Sequence, residues 1–273
     1  MKRAFVIGHP VAHSRSPLIH GHWIKEHGIN GSYEAIDIAP ADLGAFIERV
    51  RTGEFVGGNV TIPHKEAVFA LADSRDDLAE EIGAANTLLR RDDGLFAFNT
   101  DYLGFLGNLD QNAPGWDENL DSVVVLGAGG SARAILVALK SRDVPAIHLL
   151  NRTIEKAQTL AFDLGGRIEC GPLSEFAAVA PSAGLVVNCT SIGMHGSSFE
   201  GIDLTLLPKT ATVTDIVYVP LETPLLAAAR AAGLRTVDGL GMLLHQAVPG
   251  FEAWFGVRPE VTPELRRLVE ATL

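Results

Sequence analysis

The sequence predicts an α/β protein of two domains, and three observations support this prediction. Short apolar runs of strand length alternate with amphipathic stretches of helix length along most of the chain. The 273 residues are enough for two domains, each able to bury its own core. Residues 107–121 are rich in Gly, Pro, Asn and Asp and carry no sustained periodicity, which indicates a boundary near them.

The first part of the chain predicts a sheet with helical crossovers. Strands are expected at residues 4–7, 33–38, 55–60, 87–90 and 95–98. Ser16-Pro17 is typical of an N-cap followed by proline in the first turn, so we expect a helix over residues 18–27. A second helical face consists of Leu43, Phe46, Ile47 and Val50. Asp92-Asp93-Gly94 is a hairpin signal, and it predicts an antiparallel edge pair.

A repeated βαβ pattern follows the boundary and predicts a parallel sheet. Its strands are expected at residues 123–126, 147–150, 185–187 and 213–216. Helices are expected at residues 131–140, 157–164, 225–232, 242–255 and 263–273. We therefore predict one domain of residues 1–110 together with the C-terminal helices at about 240–273, and a second domain of residues 111–239.

Composition excludes several classes of protein. The 22 basic and 33 acidic side chains leave a net charge of −11, which works against binding nucleic acid or an anionic membrane. Cys170 and Cys189 have neither disulfide-framework nor zinc-ligand spacing, and we expect no metal site. No apolar stretch approaches the roughly 18 residues of a membrane-spanning helix, and the N-terminal apolar run is too short for a signal peptide. We expect a soluble cytoplasmic protein with a small-molecule partner.

The most informative segment follows the predicted strand at residues 123–126. It matches G-x-G-x-x-[G/A] between a buried strand and a helix, in the residues Gly127, Ala128, Gly129, Gly130, Ser131 and Ala132. Gly127 permits the tight turn, Gly129 lets a pyrophosphate approach the backbone, and Ala132 lets the helix pack closely on the sheet. The helix N-terminus would then face the phosphates. An ordinary glycine-rich turn is the alternative interpretation.

The end of the next predicted strand indicates which dinucleotide binds. NAD sites usually carry Asp or Glu there, whereas this chain has Asn151-Arg152-Thr153, with Lys156 one helical turn later. Arg152 can bind a 2′-phosphate, with Thr153 and Lys156 as further donors, so the sequence predicts NADP(H). Lys156 could instead be a solvated helix lysine. Residues 122–237 hold nine basic and nine acidic side chains, so the excess of acid lies outside this segment.

Polar clusters within the apolar pattern carry a family resemblance. They are His13-Ser14-Arg15-Ser16-Pro17, Asn59 to Lys65, Asn86-Thr87, Asn99-Thr100-Asp101, Asp215 to Pro220 and Gly241 to Ala247. Together with the glycine-rich turn and Asn151-Arg152-Thr153, they closely resemble the shikimate dehydrogenase family, in its motif order and across nearly the full length. The resemblance implies NADPH-dependent reduction of 3-dehydroshikimate to shikimate, in the route to chorismate and the aromatic amino acids. It also implies a substrate domain, a Rossmann-like NADP-binding domain and an active site in the cleft between them.

The resemblance also implies roles for individual residues. Lys65 and Asp101 would be the catalytic pair. The implied substrate-binding residues are Ser14, Ser16, Thr61, Lys65, Asn86, Asp101, Tyr218 and Gln246. Cofactor contacts beyond the two segments above are implied for Thr190, Ser191, Met194, Val217, Gly239, Met242 and Asp77. The chemistry fits the catalytic pair, because hydride transfer to a ketone leaves an alkoxide that needs a proton donor within hydrogen-bond reach. Lys65 would shuttle that proton and Asp101 would orient it.

Several alternatives remain open at the level of sequence. Taken singly, Lys65 could be a solvated lysine, and Asp101, Asp77, Ser14 or Ser16 could be helix caps. The chain could also be a quinate/shikimate dehydrogenase of broader specificity or a non-catalytic NADPH-binding sensor, and either a monomer or a homodimer. His9, Tyr102 and Cys189 depart from the commonest family pattern, and Tyr102 puts the detailed shape near Asp101 in doubt.

Overall fold

The computed structural model describes all 273 residues, which form two six-stranded sheets and their flanking helices. Up to residue 98 the elements are β1 (Lys2–Gly8), α1 (Ser16–Glu26), β2 (Gly31–Asp37), α2 (Leu43–Arg51), β3 (Gly57–Val60), α3 (Lys65–Leu71), β4 (Ser74–Arg75), α4 (Asp77–Ile82), β5 (Thr87–Arg91) and β6 (Gly94–Phe98). They continue as α5 (Asp101–Asn112), β7 (Ser122–Leu126), α6 (Gly130–Ser141), β8 (Ile147–Leu150), α7 (Ile154–Leu164), β9 (Ile168–Gly171), α8 (Phe176–Val179), β10 (Ala183–Asn188), β11 (Ile192–His195), β12 (Thr212–Asp215), α9 (Pro224–Ala231) and β13 (Arg235–Val237). The chain ends with α10 (Leu240–Phe255) and α11 (Pro263–Glu270).

The chain divides into two compact units. One contains Met1–Asp101 and Leu244–Thr272, and the other contains Tyr102–Leu243 and Leu273. The second unit thus begins before the boundary that the sequence predicts after residue 110. No helix combines the length and the apolar character needed to cross a membrane.

Residues 107–112 are helical, although their composition predicts a linker. Their polar side chains, which resemble those of a loop, have partners within the unit. Asn108 Nδ2 donates to the Asp238 carbonyl at 2.7 Å, and Asp110 accepts from Trp116 Nε1 at 2.9 Å and from Arg142 at 2.5 Å. These contacts stabilise the end of α5. The local sequence does not predict them, because the partners Asp238 and Arg142 are distant in the chain.

The sheet of the first unit is mixed. Its strand order is β2-β1-β3-β5-β6-β4, with β1 parallel to both β2 and β3. The predicted hairpin is confirmed, because β5 and β6 pair antiparallel, but the two-residue strand β4 lies outside it as the edge strand. Phe5, Phe46 and Phe55 form the aromatic centre of the core, with ring centroids 4.9 and 5.1 Å from Phe5.

The sheet of the second unit is entirely parallel. Its order is β13-β12-β10-β7-β8-β9, which is the order of a Rossmann fold. Leu126, the last residue of β7, pairs with Leu150 of β8 and with Asn188 of β10. Because all strands run the same way, the loops after β7, β8 and β10 emerge at one edge. That edge is where open α/β sheets bind their ligands.

Candidate active site

The N-terminus of α1 lies beside the two serines that the sequence predicts as carboxylate ligands. The helix begins at Ser16, two residues earlier than predicted, with Pro17 in its first turn. The cap interpretation of Ser16 is wrong, because the N-cap position is Arg15 and Ser16 lies inside the helix. Ser14 Oγ accepts the Ser16 amide at 3.3 Å. A helix N-terminus with adjacent hydroxyls is suited to a carboxylate.

Lys65 and Asp101 form the centre of the predicted substrate site. Lys65 begins α3 and Asp101 begins α5, and Lys65 Nζ donates to Asp101 Oδ2 at 2.5 Å. Their side chains are 28% and 13% exposed, so the pair is largely desolvated yet reachable from outside. The interpretation of Lys65 as a solvated lysine therefore fails, although it does stand at a helix start. Asp101 is the first residue of α5, and its two carboxylate oxygens accept from Lys65 Nζ and Asn86 Nδ2, so its side chain serves this network and not a helix cap.

Asn86 joins the Lys65–Asp101 pair to α10. Its Nδ2 lies 2.8 Å from Asp101 Oδ1 and 3.1 Å from Gln246 Oε1. Its Oδ1 accepts from the Thr100 amide and from Thr87 Oγ1, both at 2.9 Å. Asn86 is therefore held on both sides, and each Asp101 oxygen has a donor. Thr61 directly follows β3, and its amide donates to the Ile7 carbonyl at 2.9 Å.

Sequence reasoning missed Tyr33, which supports this network from β2. Its hydroxyl donates to Asn59 Oδ1 at 2.6 Å, and the Ser16 side chain lies close enough to lower the pKa of that hydroxyl. Asn59 Nδ2 in turn donates to Thr87 Oγ1 at 3.2 Å. The desolvation of its hydroxyl raises the pKa of Tyr33 well above its ordinary value, so the phenol stays neutral. The available signal was a tyrosine within a predicted strand, because a phenol that is shielded from water needs a hydrogen-bond partner.

His20, close to Tyr33, is a further residue that the sequence does not single out as functional. It is 0% exposed and stacks on Tyr33 with ring centroids 4.1 Å apart. Asn59 lies nearby, but no atom pair meets hydrogen-bond geometry, and both ring nitrogens are without a partner. Burial lowers the pKa of His20 to about 3, so the ring is neutral.

The glycine-rich turn and the loop after β8 lie together in the second unit. Gly127 has φ +102°, and a Cβ there would stand 2.4 Å from Thr190 Cγ2, so only glycine fits. No atom lies within 4 Å of a Cβ built on Gly130, which leaves space for a ligand to approach. Asn151 holds the two loops together, because Oδ1 accepts from the Ala128 amide at 3.3 Å and Nδ2 donates to the Thr153 carbonyl at 2.7 Å.

A cavity of about 440 Å³ lies over these loops. The predicted cofactor residues that line it are Gly127, Ala128, Gly129, Asn151, Arg152, Thr153, Lys156, Thr190 and Ser191. Leu173, Cys189 and Ile192 also line it, and the sequence does not predict them as cofactor residues. Arg152 and Lys156 are exposed at its rim, and neither has an ion-pair partner. Two free cations beside an open helix N-terminus fit a phosphorylated dinucleotide.

The remaining predicted cofactor residues lie outside the lining of this cavity. Gly130, Ser131 and Ala132 form the first turn of α6. Met194 and Val217 follow in the segments after β10 and β12, and Gly239 and Met242 stand at the start of α10. Tyr218, predicted to contact substrate, also belongs to the second unit, whereas Asp77 is the first residue of α4 in the first unit. Asp77 does not cap that helix: the cap is Asp76, whose Oδ1 accepts the Ala79 amide at 2.8 Å.

Comparison with known families explains why both sets of residues occur in one chain. The family model described as shikimate dehydrogenase substrate binding domain matches residues 6–88. A second, described as shikimate / quinate 5-dehydrogenase, matches residues 112–216, and the shikimate 5′-dehydrogenase C-terminal domain matches residues 239–263. The chain belongs to the shikimate dehydrogenase family.

Relatives and solved structures of this family match the chain over its whole length. A shikimate dehydrogenase (NADP(+)) of Mesorhizobium japonicum is 58% identical over 272 residues, covering 100% of this chain and 97% of that protein. The Brucella abortus protein of the same name is 53% identical, and the match covers 100% of this chain and 95% of that protein. The Thermus thermophilus shikimate 5-dehydrogenase in complex with NADP(H) and shikimate has a TM-score of 0.88 at 37% identity, with 100% of both chains covered. Quinate dehydrogenase from Corynebacterium glutamicum in complex with NAD has a TM-score of 0.90 at 32% identity, and the match covers 100% of this chain and 99% of that chain.

Proposed function

We propose that this protein catalyses the reversible NADPH-dependent reduction of 3-dehydroshikimate to shikimate, a step in the biosynthesis of chorismate and the aromatic amino acids. The observation that carries the proposal is the pair of Lys65 Nζ and Asp101 Oδ2 at 2.5 Å, joined through Asn86 to Gln246. This network occurs in a chain 58% identical to a shikimate dehydrogenase (NADP(+)).

Ser14 and Ser16 bind the substrate carboxylate. The Ser14 hydroxyl already lies 3.3 Å from an amide of the first turn of α1, where the helix dipole favours a negative charge. Thr61, Asn86 and Gln246 contact the carboxylate or the ring hydroxyls. Amide and hydroxyl groups of this kind can donate and accept, which suits a polyhydroxylated ring.

Lys65 moves the proton of the reaction. Bound NADPH supplies the hydride that reduces the ketone carbon. Lys65 Nζ gives a proton to the oxygen of that carbon, and in the reverse direction it takes the proton back. Asp101 accepts one hydrogen of the ammonium group and thereby fixes where the others point. Asn86 holds the second carboxylate oxygen at 2.8 Å, so Asp101 cannot rotate away.

The loop after β8 favours NADP(H) over NAD(H). Arg152 stands where an NAD site usually carries a carboxylate, and it has no competing ion pair. Thr153 is the N-cap residue of α7, but its side chain makes no capping hydrogen bond, so its hydroxyl is available to a phosphate. Lys156 adds a second cation on the next turn.

Steady-state turnover of shikimate and of quinate, each with NADP⁺ and NAD⁺, tests the proposal. We expect kcat/KM to be highest for shikimate with NADP⁺. A higher kcat/KM for quinate would favour the quinate/shikimate alternative, which the name of the family model over residues 112–216 makes worth testing. Binding of NADPH without any turnover would favour the sensor alternative.

A reducing cellular compartment fits the two cysteines. Cys170 and Cys189 are both free thiols, which supports a cytoplasmic location. Fractionation of cells that express the protein would test this part of the proposal.

A further inference from the structure

Two buried polar side chains end neighbouring strands of the second sheet. Asn188 is the last residue of β10 and Asp215 the last of β12, and they lie opposite each other in the parallel register. Both are 0% exposed. Burying an amide and a carboxylate costs free energy unless their hydrogen-bonding groups are paired. The hydrogen-bond partners of Asn188 and Asp215 therefore show which segments the two side chains hold in place.

Asn188 uses all of its side-chain hydrogen-bonding groups. Its Oδ1 accepts from the Thr190 amide at 2.9 Å and from Thr190 Oγ1 at 2.8 Å. Its Nδ2 donates to the Ile192 carbonyl at 2.8 Å and to Asp215 Oδ1 at 2.9 Å. Thr190 Oγ1 then accepts the Ile192 amide at 2.9 Å. One side chain thus fixes the path of residues 190–192, which line the cofactor cavity.

Asp215 holds a second segment in the same way. Its Oδ1 accepts the Val217 amide at 2.9 Å in addition to the Asn188 amide group. Its Oδ2 accepts from Thr223 Oγ1 at 2.7 Å, and Thr223 also caps α9 by accepting the Leu226 amide. The pair therefore links the segment after β10 to the segment after β12 and to the start of α9.

The carboxylate has no salt-bridge partner to offset its burial. Burial raises the pKa of Asp215, and the hydrogen bonds from Asn188, Val217 and Thr223 oppose that shift. Burial, together with the charge of Asp215, also raises the pKa of the neighbouring Cys189 thiol. Asn188, Val217 and Thr223 each donate a hydrogen bond to Asp215. The ionised carboxylate accepts all three bonds, because it carries no proton of its own.

We propose that Asn188 and Asp215 are positioning residues for bound NADP(H). They hold residues 190–192, which line the cofactor cavity, and Val217 in the conformation that receives the cofactor. This inference rests on the proposed function for the identity of the ligand. Its physical basis is the set of hydrogen bonds that one buried amide–carboxylate pair makes to both segments.

Asn188→Asp is the main test. It keeps the size of the side chain but replaces the amide NH₂, which donates to the Ile192 carbonyl and to Asp215 Oδ1, with an oxygen that cannot donate. The new carboxylate faces Asp215 and the Ile192 carbonyl, so both contacts become repulsive. We expect the Kd for NADPH, measured by titration of its intrinsic fluorescence, to rise at least about tenfold. The Kd for shikimate, measured by calorimetry, should change much less, because seven of its eight predicted ligands lie on the first unit and only Tyr218 lies on the second. Asn119→Asp, at an exposed position of the same unit, is the matched control.

The double variant Asn188→Asp/Asp215→Asn separates charge repulsion from a general loss of packing. It leaves one carboxylate in the pair, and we expect it to recover part of the NADPH affinity that Asn188→Asp loses. A folded Asn188→Asp protein with wild-type Kd for NADPH would overturn the proposal. The single variant Asp215→Asn is measured as well. A double variant whose Kd is raised by the product of the effects of Asn188→Asp and Asp215→Asn would also overturn the proposal, because the effects of residues that act together are not additive.

Thr223→Val and Thr223→Ser keep the proposal testable if Asn188→Asp does not fold. The valine removes one of the three donors to Asp215, whereas the serine keeps the hydroxyl. We expect a severalfold rise in the NADPH Kd for Thr223→Val and a smaller one for Thr223→Ser. Equal Kd values for both variants would overturn the inference. Absence of shikimate turnover by a wild-type protein that binds NADPH would instead contradict the proposed function, and the binding comparison would still stand.

Discussion

Lys65 Nζ lies 2.5 Å from Asp101 Oδ2, although the two stand 36 positions apart in the chain. Each begins a helix, α3 and α5 respectively, so each is fixed by the backbone that follows it. Asp101 is also held through its second oxygen by Asn86 at 2.8 Å. In the proposed function the pair is a preorganised proton donor with a fixed partner, which is what reversible ketone reduction requires.

Replacement of the proton donor should separate binding from turnover. We expect Lys65→Ala to lower kcat for shikimate oxidation by about 10²- to 10⁴-fold, the usual contribution of a positioned acid or base. NADP⁺ and shikimate should still bind, because their other ligands remain. The measurement is steady-state kinetics together with calorimetric Kd values. Lys25→Ala, an exposed lysine of α1, serves as the control, and wild-type turnover by Lys65→Ala would refute the assignment.

Replacement of the free arginine after β8 should change the cofactor preference. Arg152→Ala removes a charge-assisted bond to the 2′-phosphate worth about 1.5–3 kcal/mol, so the ratio of kcat/KM for NADP⁺ to that for NAD⁺ should fall by roughly 10- to 100-fold. The kcat/KM of Arg152→Ala with NAD⁺ should stay near that of the wild type. Arg230→Ala removes an arginine that is paired with Glu222 on the same unit and should leave the ratio unchanged. An unaltered ratio in Arg152→Ala would contradict the predicted role.

Removal of the Tyr33 hydroxyl should weaken both the fold and the binding of substrate. Tyr33→Phe leaves Asn59 Oδ1 without the donor that now lies 2.6 Å away. We expect the free energy of unfolding in urea to fall by about 1–3 kcal/mol. The KM for shikimate should rise more than kcat falls, because the hydroxyl lies close to Ser16, a predicted carboxylate ligand, while Lys65 and Asp101 keep their hydrogen bond. Stability and KM that both equal the wild-type values would show that the hydroxyl supports neither.

The buried histidine should make stability fall in acid. The pKa of His20 is about 3 in the folded protein and ordinarily near 6.5 when exposed, so only the unfolded chain binds this proton between those values. The unfolding free energy should therefore decrease as pH falls from about 6.5 toward 3, with this residue contributing up to about 1.4 kcal/mol per pH unit. His20→Leu lacks that contribution, so its stability should depend less steeply on pH. Parallel curves for the two proteins, from urea unfolding at each pH, would contradict the prediction.

The signals that sequence reasoning recovered are local. Gly127 is required by its own φ of +102° and by Thr190 against it, and the motif around it spans only six residues. The hairpin at β5 and β6 follows from its turn residues, and the alternation of strands and helices follows from hydrophobic period. The roles of Lys65 and Asp101 came instead from resemblance to a family, because each residue alone has an ordinary structural interpretation.

The sequence by itself determined the fold class, the dinucleotide turn and the family, since each depends on residues close together or on motifs in a characteristic order. Tertiary structure alone decided the contacts that cross between elements. Sheet pairing brings Tyr33 to Asn59, and strand register sets Asn188 opposite Asp215. It also decided that residues 107–112 are helical, because Asn108 and Asp110 find partners far along the chain. Hydrogen bonds between distant residues depend on the three-dimensional path of the backbone, and local composition does not determine that path.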